Sequence, residues 1–383
     1  MLSVACASAA EPLWDSLQIH GFASQAAVRT SDNRYFGDSP NTSFAFTEVG
    51  INASLPLNPR ILLSGQLLAR RAGAMYDGTP ALDYALADVT LASSAAQRWG
   101  FRAGRIKNPL GIYNETRDVP FTHPGIFLPQ VIYFDKVRNL VLSLDGLMFY
   151  GSLYGNTGTV SLTMGGGRSV IDDNVEWVYL GNDYPGELQS DGNTGLIRLW
   201  YSTPGEQLKF GLSGAALSLR FHPGRHSPLS AGTTDILYWI ASIQYETENW
   251  TLSAEYAREP LEWRDYHYPL LPNLETTTEG YYLQGTYRIQ PDVELLLRYE
   301  EGFGDRNDRD GVQFSALTGV PPFTRFSKIW TAGLRWDINR QWMVRAEYQR
   351  HHGTFILSSR ENPDSGQLRE DWSLFAVQAA FRF

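Results

Sequence analysis

The chain has 383 residues, with 41 acidic against 32 basic side chains and a net charge of −9. That balance argues against nucleic acid as a partner, which calls for a basic footprint. Aromatic residues reach 13% (20 Tyr, 19 Phe, 11 Trp), yet mean hydropathy is −0.28 and no apolar run approaches the roughly 18 residues a spanning helix needs. A helical membrane protein is excluded. The other way to satisfy every backbone group inside a bilayer is a closed barrel, whose strands conceal apolar character by alternating it with polar residues.

Residues 1–10, MLSVACASAA, read as the tail of a signal peptide with small residues before Glu11, and 11–383 as a single transmembrane β-barrel domain. The only cysteine, Cys6, would leave with the leader, which suits passage through an oxidising periplasm. A lipobox reading of Leu2-Ser3-Val4-Ala5-Cys6 fits poorly at Ser3 and Val4.

Sixteen period-two segments follow, at 17–29, 43–55, 60–71, 82–92, 98–107, 143–154, 159–166, 194–202, 207–218, 234–246, 250–259, 278–289, 293–302, 327–337, 341–349 and 371–383. Short connections rich in Asn, Pro, Gly and Asp (56–59, 93–97, 155–158, 203–206, 247–249, 290–292, 338–340) alternate with long ones (30–42, 72–81, 108–142, 167–193, 219–233, 260–277, 303–326, 350–370). This rhythm predicts an all-β fold, a 16-stranded antiparallel transmembrane barrel with short turns toward the periplasm and long loops outside.

Alternation assigns the faces. In segment 293–302, Val293, Leu295, Leu297 and Tyr299 oppose Glu294, Arg298 and Glu300, with Leu296 the exception; 327–337 and 341–349 alternate likewise. A charge facing mid-bilayer lipid costs about 2–4 kcal/mol, so the charged face turns inward. Inward charges are then Arg70, Arg102, Arg198, Lys209, Arg288, Arg298, Arg335, Arg345 and Arg382 against Glu48, Asp88, Glu255, Glu259, Glu294, Glu300, Asp337 and Glu347, a nearly neutral wall. Trp239, Tyr245, Trp250, Tyr256, Tyr281, Tyr287, Trp330 and Trp336 sit where interfacial aromatic girdles belong. The last segment places Ser373, Phe375, Val377, Ala379, Phe381 and Phe383 toward lipid and Trp372, Leu374 and Ala376 inward, an apolar wall that predicts a loop packed on it.

Sixteen strands enclose a lumen too wide for side chains alone to fill. The longest connection, 108–142, carries Pro109, Pro120, Pro124 and Pro129 and more apolar residues (Ile112, Tyr113, Phe121, Ile126, Phe127, Leu128, Ile132, Tyr133, Phe134) than an exposed loop warrants. Folded into the lumen, it sets Arg105, Lys107, Arg117, Lys136 and Arg138 near Glu115, Asp118 and Asp135 as a charged constriction. Arg70, Arg102, Arg298, Arg335 and Arg345 join that solute path from the wall. The bland alternative has the loop on an outer rim with solvated charges.

The sixteen-segment rhythm, the long third loop and the terminal pattern Phe375, Val377, Ala379, Phe381, Phe383 resemble the general porins of Gram-negative outer membranes. Gly104-Arg105-Ile106-Lys107-Asn108-Pro109-Leu110-Gly111 looks like the glycine-basic-proline-glycine motif of phosphate-selective O/P-type porins. The resemblance implies a water-filled channel for ion transport, a homotrimer seated in lipid and lipopolysaccharide, and Phe381 and Phe383 as the signal read by the barrel-assembly machinery. The chain departs from the phosphate-selective pattern in having few lysines and in pairing opposite charges at Arg117-Asp118 and Asp135-Lys136, which leaves only a mild anion preference.

Three functions are weighed: passive diffusion of small polar or ionic solutes, a substrate-specific transporter for sugars or aromatic or hydrophobic compounds, and a structural or adhesive barrel with a plugged lumen. Phe22, Tyr84, Trp200, Tyr238 and Tyr282 face inward but are too dispersed to decide for the second. No Gly-x-Ser-x-Gly elbow accompanies the scattered histidines (His20, His123, His222, His226, His267, His351, His352), so neither an enzyme nor a cofactor is expected. His351-His352 and His222/His226 read as solvated loop residues and not as metal ligands.

Overall fold

Alternation becomes hydrogen-bonded strands wherever one face can be given to lipid and the other to the interior. The computed structural model describes residues 16–267 and 274–383; the leader expected at 1–10 lies outside the described residues. Its strands are β1 (Gln18–Thr30), β2 (Ser43–Asn58), β3 (Ile61–Ala72), β4 (Tyr76–Ser93), β5 (Gln97–Lys107), β6 (Ser143–Gly155), β7 (Gly158–Ser169), β8 (Gly186–Ser190), β9 (Thr194–Ser202), β10 (Leu208–Pro223), β11 (Gly232–Glu246), β12 (Trp250–Arg264), β13 (Leu274–Gln290), β14 (Val293–Phe303), β15 (Phe326–Asp337), β16 (Trp342–Gly353) and β17 (Asp371–Arg382). Short helices α1 (Arg138–Leu142), α2 (Asp173–Leu180) and α3 (Val312–Thr318) lie in the long connections. No described helix is long and apolar enough to cross a membrane.

Every pairing is antiparallel, and β17 closes the ring on β1 from Phe22↔Arg382 to Thr30↔Leu374. Seventeen strands make sixteen staves because β8 and β9 lie end to end against β10, Ser190 opposing Leu219 and Gly195 opposing Ala216. The barrel is therefore the sixteen-stranded one that the sequence predicts. Strands run past the expected segments at the long-loop end, as β10 does to Pro223 and β12 to Arg264, and two connections change more than that. The fourth long loop holds the unexpected β8, and the second shrinks to a turn, 73–75, because β3 and β4 stay paired out to Ala72↔Tyr76. Glu361 of the last long connection fixes that turn by accepting from the Ala74 (2.6 Å) and Gly37 (2.8 Å) amides.

Faces follow parity. Leu295, Leu297, Trp330, Leu334, Trp336, Trp342, Tyr348, Phe375 and Val377 are exposed on the outside, while Arg298, Glu300, Thr331, Arg345, Glu347, Trp372, Leu374 and Ala376 are buried inside. Outward Trp250 and Tyr287 pack in tilted contact at 4.4 Å and Tyr299 and Trp330 at 4.6 Å between centroids, forming girdle elements. The principal apolar core is not in the wall but between wall and loops. Phe127 of the third long connection meets Tyr35 and Phe36 of the first and Phe46 of β2 (centroids 5.3, 5.9 and 5.6 Å), with Tyr35 against Trp372. The loop expected on the apolar wall of β17 is present.

Candidate functional site: the inserted third loop

The third long connection (L3, 108–142) leaves β5 and enters the barrel. Its prolines and its one-turn helical pieces keep it compact, and its apolar side chains Leu110, Tyr113, Ile126, Phe127, Ile132, Tyr133 and Phe134 are all buried. Gly111 allows the first bend. Its φ is +60°, and a Cβ there would meet the Tyr133 hydroxyl and the Glu255 carboxylate.

L3 is held by the wall's charged side chains, which bond its backbone. The Glu347 carboxylate accepts from the Ile126 amide at 2.6 Å and, more weakly, from that of Phe127 at 3.4 Å. Glu300 accepts from the Val131 amide (3.3 Å) and Glu255 from the Ile112 amide (2.9 Å) and the Tyr133 hydroxyl. Arg298 donates to the Phe127 carbonyl (3.1 Å), Arg345 to the His123 carbonyl (2.9 Å) and that of Gly125, and Arg335 to the Phe121 carbonyl (3.3 Å). Ser213 accepts from the Gly111 amide and Tyr238 donates to the Ile132 carbonyl. Such an arrangement satisfies irregular backbone at membrane depth by protein alone.

On the opposite side, ion pairs fasten the loop. Arg70 bridges Glu48 and Asp135, each at 2.9 Å; Arg117 lies 3.5 Å from the same Asp135; Lys107 binds Asp83 at 2.5 Å and also Asp118, which Arg138 contacts too. Lower down, Glu115 reaches Arg198 and, at 3.8 Å, Arg102, which also binds Asp88 at 3.0 Å. These last groups are the wet ones: the Arg102 side chain is 35% exposed and that of Glu115 33%. L3 thus touches the wall from β2 round to β17, within the lumen.

The expected site residues separate into three groups. Glu115, Arg102 and Arg335 face solvent in part, whereas Arg70, Lys107, Arg117, Asp118, Arg138, Arg298 and Arg345 are buried and hold L3 in place. Burial, then the Arg345 charge, keeps neighbouring His123 well below its ordinary imidazole value, so it is neutral. Arg105 is not brought in. It sits on the outer face, bidentate with Asp145 (2.8 and 2.7 Å) in the row of exposed Leu147 and Phe149, because parity sends it opposite to Arg102. Asp135 joins the buried group through Arg70 and Arg117, whereas Lys136 lies apart, donating to the Phe355 carbonyl at 2.5 Å. Arg198 pairs with Glu115 of L3 and was recognisable only as an inward charge. His351 is not solvated: it is inward on β16, stacked on Trp372 at 3.7 Å.

No protein-family model and no curated sequence matches this chain. Solved structures do. The anion-selective porin from Comamonas acidovorans superposes with a TM-score of 0.58 at 13% identity, covering 96% of this chain and 99% of that one. The outer-membrane channel DcaP of Acinetobacter baumannii gives 0.57 at 12% (96% and 97%), and the trimer form of OmpT from Vibrio cholerae 0.57 at 11% (96% and 99%). At these identities the likeness is one of fold: a closed sixteen-stranded barrel of the kind found in Gram-negative outer membranes.

Proposed function

We propose that this protein is an outer-membrane porin through which small polar and ionic solutes diffuse passively, with a mild preference for anions. The observation that carries this reading is L3 held inside the barrel with Arg102, Glu115 and Arg198 left partly exposed beside it. On the short-turn side of L3, inward Arg98, Arg102, Arg198, Arg288, Arg335 and Arg382 face Asp88, Glu115, Glu294 and Asp337, an excess of positive charge in a water-filled lumen. The histidines support a channel over an enzyme, since buried His123 and His351 are committed to packing.

Single-channel recording tests it: conductance steps with a reversal potential on the anion side are expected, and absence of steps leaves the plugged, structural barrel. The charged aromatic cavity at the long-loop end favours a porin that also discriminates among its solutes.

The outer surface supports a homotrimer. On β1–β5 a set of small or polar outward residues (Ala23, Gln25, Ala27, Thr47, Ala69, Ala85, Ala87, Ala103, Arg105) sits among exposed Val49, Ile51, Leu67 and Leu91, whereas outward Trp and Tyr gather on β11–β16. Gln25 and Thr47 bond each other at 2.6 Å on the lipid-facing side, a pair better placed against protein than acyl chains. Phe383, bonded to Gly21 through both backbone groups, would present the assembly signal.

A further inference from the structure

At the long-loop end a cavity of about 330 Å³ lies between L3, α2, the ends of β12 and β13, and the last two long connections. That volume falls in the range of about 300–1,000 Å³ usual for small-molecule sites. Its walls are aromatic: Phe134, Trp177, Tyr179, Trp263 and Phe355 line it, with Phe134 and Phe355 edge to face at 5.5 Å.

Two cations share this space. Lys136 Nζ lies 4.2 Å from the centroid of Phe355 and 5.2 Å from that of Phe134. The Arg325 guanidinium rests 4.4 Å from the Phe314 centroid, and its buried Nε has no hydrogen-bond partner. Among the described residues neither cation has a carboxylate within ion-pair distance, in contrast to Arg70, Lys107, Arg117, Arg138 and Arg298 around the constriction. The lining carboxylate, Glu259, is engaged by the Tyr179 hydroxyl at 2.7 Å and acts on Lys136 from beyond ion-pair distance, as Asp305 and Asp308 act on Arg325.

Two cations lining one cavity, held against aromatic rings, have no carboxylate in contact with them. We infer that this vestibule binds an aromatic carboxylate, its carboxylate between Lys136 and Arg325 and its ring against Phe134 and Phe355, as the loading site of the proposed porin. A neutral aromatic leaves the cations unanswered, and a bare inorganic anion leaves the rings unfilled. The inference deepens the porin reading by naming a substrate class.

The test uses the full chain in detergent micelles, titrated calorimetrically with benzoate, benzyl alcohol and acetate, and the same chain in planar bilayers. Benzoate is expected to bind at least about tenfold more tightly than benzyl alcohol or acetate, the loss of one charge-assisted contact being worth about that factor. Lys136→Gln with Arg325→Gln should remove this preference while keeping heat-modifiable migration, and Lys136→Arg should retain it. Equal binding of benzoate and benzyl alcohol by the unmodified chain overturns the inference whether or not the variants fold. Steps in potassium chloride without benzoate binding or block overturn the vestibule and leave the porin; benzoate binding without steps upholds the vestibule and removes the porin.

Discussion

Replacing Glu347 by Ala isolates the fastening of L3. The carboxylate is 1% exposed and accepts from the Ile126 amide at 2.6 Å, from the Phe127 amide at 3.4 Å and from Gln349 at 2.6 Å, with Arg298 3.8 Å away. Truncation leaves a buried amide unbonded, about 1–3 kcal/mol, and breaks one side of a buried charged cluster, about 3–5 kcal/mol when a partner is removed outright. Glu300 at 2.9 Å still answers Arg298, so the lower part of that range, about 3 kcal/mol, applies. Barrel closure does not depend on this residue, so the cost falls on the seating of L3, whose detached state should gain about a hundredfold in population. Single-channel recording should show larger or noisier conductance, and limited proteolysis should cut within 119–130. Glu347→Gln keeps an acceptor for the amide and should lie between the two. Unchanged conductance, noise and proteolysis in Glu347→Ala would refute the view that wall charges seat the loop.

Arg102→Ala combined with Arg198→Ala should move the reversal potential toward cations by removing the exposed positive charges beside Glu115, whereas Arg105→Ala should leave it unchanged and instead weaken oligomer bands on an unboiled gel. Burial and then Arg325 lower Lys136 from its ordinary value to about 7, with Glu259 acting the other way. Since the ammonium form predominates only below that point and benzoate stays ionised far above its own pKa of about 4, calorimetry should show benzoate binding weakening as pH rises from 6 to 8, with the trend diminished in Lys136→Gln. Deleting Phe383 removes two backbone bonds to Gly21 and the terminal aromatic. The outer-membrane yield of folded barrel should fall severalfold by heat-modifiable migration, without a change in single-channel conductance of what does assemble.

Strand number, antiparallel order and the face of almost every strand residue were legible because a membrane barrel imposes a period of two on each segment and punishes an outward charge. The apolar content of 108–142 and the inward Trp372, Leu374 and Ala376 likewise announced a loop packed within the barrel. Segment ends were less legible: pairing can run past the apolar pattern when a distant side chain satisfies a turn, as Glu361 does for the amides of Gly37 and Ala74. The role of each inward charge was not legible at all. Arg298, Arg345 and Arg102 share composition and parity, yet the first two are buried on L3 carbonyls while the third meets water, a difference set by where a loop from β5 lands on β14 and β16. Arg105 is the reverse case: its motif suggested the constriction, whereas its parity, opposite to that of Arg102, already pointed outside, where it pairs with Asp145. Alternation, being local, could be read from the chain. Which charge meets a carbonyl, a carboxylate or solvent depends on contacts between residues up to more than 200 positions apart, and tertiary structure alone decides them.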